Sequence, residues 1–375
     1  MRLPRTGELS RADDPRLIVR REVQARLAIL RARRSDDGAR EPASHAAAPD
    51  DLRPLVLVAC SGGPDSLALA ATVAGLVDDL GLRAGAVIID HGLQPGSAHV
   101  AAAAATTCRS LGLDPVEVLA VTVSGDGGPE AAARTARHDA LVSAASRHGA
   151  QAVLLGHTRD DQAETVLLRL ARGSGARSLA GIPPVTARTT ADGRDVLWLR
   201  PLLALDRQVV RRSLDLTGLV AWTDPHNADP AYARARVRHD LLPMLAEALG
   251  PGVVAGLARS ADLLRADAEA LDGWAARVLD DAVAAAGGPP ALADDGAAAR
   301  VICLDPQVVA AVPAAVRTRV LRRAALLAGA SAGALTSDHV QALDALVADW
   351  HGQGEVALPG ARAWRRHGTL ALAPT

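Results

Sequence analysis

The chain has 375 residues, a formal net charge of −1 and 49% apolar residues. That length exceeds one average domain and the apolar share can bury a sizeable core, so two or three domains are expected. Near-neutral charge excludes a globally basic nucleic-acid-binding surface and leaves such binding to local arginine clusters, because the sequence contains no lysine. Its three cysteines, Cys60, Cys108 and Cys303, form no close pair, which argues against a disulfide framework, a zinc site or an iron–sulfur cluster. No run has a signal-peptide core or the length to span a bilayer, so a cytoplasmic protein without a membrane partner is expected.

In chain order, residues 1 to 14 read as a tail, Pro15 to Arg34 as an arginine-rich helix and Ser35 to Pro54 as a linker. The helix either touches RNA or lies solvated on the next domain, the usual fate of a charge run. Leu55 to Cys60, Gly85 to Asp90, Val116 to Val121 and Ala152 to Gly156 read as strands. They alternate with helices over Ser66 to Leu80, Ser97 to Leu111, Pro129 to His148 and Asp161 to Ala171. Val56-Leu57-Val58-Ala59 and Ala86-Val87-Ile88-Ile89 are continuously apolar, as in strands buried on both faces. The expected fold class is α/β, a parallel sheet with helices on both faces, with ligands beyond the carboxyl ends of the strands.

After Asn227 the pattern becomes helical, over Arg238 to Leu249, Gly252 to Ala286, Pro313 to Leu327 and Ser337 to Asp349, with a short hairpin within Glu355 to Leu372. The expected division is therefore 1–53 as an arginine-rich arm and linker, 54–235 as a nucleotide-binding domain, and 236–375 as a smaller, mainly helical domain.

Ser61-Gly62-Gly63-Pro64-Asp65-Ser66 joins the first strand to the first helix of that alternation. Paired glycines permit a tight turn and close approach to a ligand, and the helix start supplies unpaired N–H groups and a positive dipole end. This is a phosphate cradle, unless the turn merely caps its helix. With no lysine in the loop, it suits pyrophosphate held by backbone N–H groups and hydroxyls, with a magnesium ion near Asp65. Asp90 and His91 end the second strand, where the backbone can pair with an adenine edge or simply begin a loop. His157, Asp160, Asp161 and Glu164 surround a helix start at the same sheet edge. The three acids suit metal binding or proton transfer, while Asp161-x-x-Glu164 also reads as a capping box. Arg134 and Arg137 are candidates to clamp phosphate or a substrate carboxylate. Arg172 and Arg177, and the run Arg234, Arg236, Arg238, are candidates for RNA backbone.

The loop at 61–66 resembles the signature of the PP-loop ATP pyrophosphatase family. Ile88 to Leu93, Gly156 to Val166, Arg172 to Gly175, Arg200 to Leu203 and Trp222 to Asn227 resemble the successive motifs of its tRNA(Ile)-lysidine synthase branch. The resemblance implies a PP-loop catalytic domain over 54–235 and a tRNA-binding domain over 236–375. It further implies that ATP, with Mg²⁺, adenylates C2 of the wobble cytidine in a CAU anticodon of tRNA(Ile). Free L-lysine then displaces AMP, and a homodimer is an admissible assembly. In that picture Ser61, Gly62, Gly63, Pro64, Asp65, Ser66, Asp90 and His91 hold ATP, with Asp65 also the metal ligand. Asp65, Asp161, Glu164 and His157 are the catalytic candidates, and Asp160 with the seven arginines contacts substrate or tRNA. A tRNA thiolase, an amide-forming synthetase and a non-catalytic nucleotide-binding module are the alternative readings.

Overall fold

Leu55–Ala59 forms β1, five residues all buried, because it lies between β2 (Arg83–Asp90) and β4 (Ala152–Leu155) and pairs in parallel with both. The computed structural model describes residues 13–36, 53–92, 96–122, 129–173, 175–224, 229–287 and 301–375. Most of the expected tail and of the linker, Leu93, Ser174 and Pro225 to Asn227 lie outside the described residues. Strand order is β3 (Val116–Ala120), β2, β1, β4, β6 (Asp195–Leu199), β5 (Val185–Thr189). The first five are parallel, and β5 closes the edge antiparallel to β6. The strand pattern had not included this last pair. β5 is largely exposed and so lacks the apolar run that marked the interior strands.

Adjacent residues of β1 face opposite layers, which explains its unbroken apolar sequence. Val56 and Val58 share a core with α1 (Pro15–Asp36), α2 (Pro64–Ala74), α4 (Ser97–Ser110) and α8 (Arg207–Asp215). Leu55, Leu57 and Ala59 share the other with α5 (Pro129–Arg147) and the fully buried Trp198. The arginine-rich helix lies on the domain, with Val19, Val23, Leu27 and Leu30 buried at helical spacing. Arg20 ties α1 to the Gly75 carbonyl at 2.7 Å and pairs with Asp79.

The helix expected over 66–80 is two helices. α2 stops at Gly75, Leu76 is fully buried at the break, and α3 covers Val77–Leu80. The helices after residue 227 begin earlier than expected, as α9 (Ala233–Arg236), a π-helical turn (Val237–Leu241), α10 (Leu242–Leu249) and α11 (Val253–Ala285). Val237 and Leu242 bury themselves against Ala163 of α6 (Arg159–Leu170). Consequently the chain divides into units Met1–Asp262 and Leu263–Thr375, inside α11 rather than near Ala235.

The second unit contains the end of α11 with α12 (Pro306–Ala310), α13 (Ala314–Leu327) and α14 (Ser337–Ala348). It is less helical than expected. The terminal hairpin, β9 (Ala361–Arg366) and β10 (Thr369–Pro374), is widened by β8 (Val356–Leu358) and β7 (Ile302–Leu304) into a four-stranded antiparallel sheet. Three-residue strands carry too little alternation to be read from sequence. Among the described residues no single helix is long and apolar enough to cross a membrane.

Candidate active site

The sheet reverses its order at β1 and β4: β2 and β3 follow on one side of β1, while β4 lies on the other. The ends of those two strands form the crevice in which ligands of such sheets bind. The 61–66 loop sits there. Gly62 has φ of 78°, and a Cβ on it would lie 3.2 Å from the Ala104 Cβ of α4. A Cβ on Gly156, just past β4, would lie 3.1 Å from the Asp65 carbonyl oxygen, so both positions require the missing side chain. The Ser66 hydroxyl accepts from the Ser61 N–H at 3.1 Å and donates to the Gly63 carbonyl at 3.0 Å. Ser66 is thus a buried brace for the turn, and the exposed Ser61 lies with its hydroxyl 3.2 Å from that of Ser66. The Trp222 N–H donates to the Gly62 carbonyl at 3.0 Å and brings a further segment onto the loop.

A cavity of about 290 Å³ opens beside it, lined by Ser61, Gly63, Ile89, His91, Arg137 and Trp222 among others. A second, of about 140 Å³, shares Ser61, His91 and Trp222 and reaches Asp90 and Gly92 at the end of β2. Asp90 Oδ1 accepts from the Gly92 N–H at 3.0 Å, so this side chain shapes the turn. Gly62→Ala is expected to lose about 1–2 kcal/mol from the left-handed backbone alone and to weaken ATP binding with it. Thermal melting and an ATP titration check this, and parent-like values in both would show the turn is unconstrained.

The starts of α6 and α8 meet next to the loop. The Arg159 N–H donates to the Leu205 carbonyl at 2.9 Å, the Arg207 N–H donates to Asp160 Oδ2 at 2.9 Å, and Arg159 pairs with Asp206 at 2.7 Å. Thr158 caps α6 and Asp161 completes its capping box, accepting from the Thr158 N–H at 2.7 Å. The cap reading therefore holds for Asp161, with Thr158 rather than Glu164 as its partner. Asp161 Oδ1 also accepts from Arg207 Nη2 at 2.8 Å and Arg238 Nη2 at 3.2 Å. Glu164 has no exposed surface. It accepts from Arg207 Nη1 at 3.3 Å and from Arg238 Nε and Nη2 at 2.7 and 3.0 Å, and lies 3.5 Å from Arg234 Nε.

Arg207 is the centre of this cluster, and its Nε is also 3.6 Å from Asp65 Oδ2. It had not been singled out from sequence, since Asp161 and Glu164 are 46 and 43 positions away. The one local signal is electrostatic: a buried cation at the first position of a helix opposes the dipole and needs compensating acids. Trp222, as a wall of both cavities, was likewise noted only as part of a motif.

Burial pushes the Asp65 carboxyl up to about 6, with the charge of Asp161 adding and Arg207 opposing. Burial also pushes Asp161 up, but Arg207, the Thr158 N–H and Arg238 outweigh it and hold the carboxyl below the usual range. Desolvation, aided by Arg200 and Arg137 against the opposing charge of Asp161, lowers His157 to about 3 and keeps it neutral, with Nδ1 buried and unpartnered. His91 is lowered by burial and then by Arg137. Asp65 Oδ1 is buried without a hydrogen-bond partner. Such an orphaned oxygen fits a Mg²⁺ ion, which takes one or two carboxylates and completes its shell with phosphates and water. No group of three or more metal-ligating side chains occurs among the described residues.

The candidate arginines separate into distinct settings. Arg137 lines the larger cavity and makes no hydrogen bond or ion pair among the described residues, while Arg134 is exposed on the same helix. Arg172 and Arg177 are exposed around α7 (Ala176–Leu179). That loop is held by Arg169, which donates to the Ser178 and Gly181 carbonyls, and by Gln162, bonded both ways to the Ile182 backbone. Arg236 donates to the Pro230 and Ala231 carbonyls. Arg234 and Arg238, expected to grip RNA, turn inward to Glu164, because a fully buried carboxylate needs close cations.

Residues 41–245 match the PP-loop domain family and residues 304–371 match the TilS substrate binding domain. A tRNA(Ile)-lysidine synthase of Thermobifida fusca is 58% identical over 84% of this chain and 89% of its own length. One of Streptomyces coelicolor is 54% identical over 84% of each, and one of Salinispora arenicola is 52% identical over 84% of this chain and 90% of its own.

Proposed function

The chain belongs to the tRNA(Ile)-lysidine synthase family, within the PP-loop enzymes, and from that premise we propose that it is the ATP-dependent ligase that makes lysidine on tRNA(Ile). The observation that carries the reading is the glycine loop at the sheet's reversal point, whose Ser61 and Gly63 line a cavity and whose Asp65 lies 3.6 Å from the arginine, Arg207, that pairs with Asp161 and Glu164. The backbone N–H groups of the loop and the start of α2 receive the ATP phosphates. Arg137, unpaired in the cavity, supplies a fork for a phosphate or substrate carboxylate. Asp65 would hold Mg²⁺, which when bound neutralises charge on the phosphates.

The C2 oxygen of the wobble cytidine attacks the α-phosphorus, and pyrophosphate leaves. The ε-amine of free lysine then attacks C2, the C–O bond to AMP breaks, and the amine gives up a proton. Asp161 and Glu164 contribute by fixing Arg207 and Arg238 rather than by meeting substrate, since their oxygens are already engaged by guanidinium and N–H donors. Asp65, with one oxygen buried and without a hydrogen-bond partner, is the acid of the cluster left to hold the metal. His157, neutral and half-buried, and the exposed Arg172 and Arg177 favour the wall against which an extruded base would rest. A sulfur-transferring chemistry finds less support, since the relatives matched over most of the chain are tRNA(Ile)-lysidine synthases. A cytoplasmic location goes with this reading, since its substrates, tRNA, ATP and free lysine, meet there.

Labelled lysine, ATP and Mg²⁺ supplied with tRNA(Ile) bearing CAU, and separately with tRNA(Met) of the same anticodon, test the reading. Label is expected on the isoleucine tRNA alone. Label on neither would overturn the assignment, and equal label on both would remove the specificity.

A further inference from the structure

β9 of the second unit presents two faces. Ala361 and Ala363, with Leu370 and Leu372 of β10, are fully buried in that unit's core, so Arg362, Trp364 and Arg366 project from the opposite side. Across the ladder these three stand opposite Ala373, Ala371 and Thr369, residues too small to cover an indole. The Arg362 guanidinium lies 5.3 Å from the Trp364 ring centroid, and its ion pair is a 3.6 Å contact with Glu355, in which both side chains are about half exposed. Arg366 is exposed and makes no hydrogen bond or ion pair among the described residues. Other arginines of the unit have structural tasks. Arg317 is paired with Asp344, Arg319 with Asp272, Arg322 bonds the Leu335 carbonyl, and Arg365, on the inner side of β9, bonds the Leu346 carbonyl.

We propose that the Arg362–Trp364–Arg366 face of this sheet is a docking surface for the substrate tRNA, taking phosphates on its two arginines and an unpaired base on the stacked indole and guanidinium. The inference rests on the function proposed above and adds to it which surface of the second unit meets RNA. Charge complementarity selects the occupant. Two guanidinium forks flank a planar aromatic ring, and the acid paired to one of them, Glu355, is itself about half exposed, which matches a polyanion carrying flat bases better than an apolar partner. The face also lies within the 304–371 segment matched as a substrate binding domain.

The test is the binding of a fluorescently labelled tRNA(Ile) transcript to the full-length chain across a range of salt concentrations, after lysidine formation by the parent chain has been established. Trp364→Ala is expected to raise Kd roughly five- to hundredfold, as loss of one base-stacking platform does, and Trp364→Phe to retain most of the affinity. Arg366→Gln is expected to weaken binding and to reduce the slope of log affinity against log salt by about one. Should Trp364→Ala disturb the fold, Arg366→Gln decides alone, because it alters an exposed side chain without structural partners. Parent affinity and an unchanged salt slope in folded variants would remove this face as the docking surface and leave the enzyme assignment standing. A parent chain that binds tRNA but makes no lysidine would instead strike the function itself.

Discussion

Asp65→Asn is expected to melt a few degrees above the parent at pH 7 while losing AMP-forming turnover by on the order of a hundredfold or more. The two effects have one cause. Burial pushes this carboxyl from an ordinary 3.8 to about 6, so at neutral pH the folded protein holds an anion that it would prefer to protonate. The shift corresponds to about 3 kcal/mol of destabilisation. Residual exposure of the side chain, 23%, and the burial cost of the replacing amide reduce the expected gain to about 1–2 kcal/mol. Its sign with pH follows from the raised pKa: below about 3.8 both folded and unfolded states are protonated and the penalty is absent. It grows as pH rises toward about 6 and is complete above that. The melting difference between variant and parent should therefore widen from pH 4 to pH 7. A difference that stays flat over that range would show that the carboxylate is not strained, and turnover within a few fold of the parent would show that it is idle in the reaction.

Glu164→Gln is expected to destabilise the first unit by about 3–5 kcal/mol, the usual cost of removing one partner from a buried ion pair. Glu164 is completely enclosed and receives Arg207 and Arg238 through hydrogen bonds, with Arg234 at 3.5 Å. Glutamine preserves the shape but not the charge. Arg207, itself nearly buried at 9% side-chain exposure, would then rely on Asp161 and on Asp65. Released from its anchor, Arg207 would no longer hold those two acids in place, so adenylation should fall together with stability. Denaturant midpoints at constant m-value measure the first effect. A double-mutant cycle with Arg238→Gln should return a coupling of more than about 1 kcal/mol. A loss below about 1 kcal/mol, or additive changes in the cycle, would mean that the cluster is not held by charge.

Residues 61–66 were legible as a phosphate-binding turn because the requirement is local: glycines where the backbone has positive φ or another chain segment approaches, and a helix start immediately after. The central strands were legible for a related reason, since burial on both faces leaves an unbroken apolar run, as in Val56 to Ala59. β5 and β7 were not, the first because an exposed edge strand has no such run and the second because three residues hold no period. Asp161 and Glu164 were visible as acids at a helix start, but their partners were not. Which arginine meets which carboxylate depends on α6, α8 and the helices from residue 233 converging, and nothing within a few residues of Arg207 encodes a carboxylate more than 40 positions away.

From the amino acids alone came the α/β alternation, the sheet edge that gathers the motifs and the family whose chemistry they resemble, all of them properties of short-range pattern. The folded chain decided the rest. It turned Arg234 and Arg238 from surface cations into struts for a buried acid, and it raised the Asp65 carboxyl toward neutrality. It also set Arg362 and Arg366 on either side of an indole. Each of these depends on desolvation and on distances between remote segments, and Coulomb energy and burial acquire their values only once the chain has closed around the groups concerned.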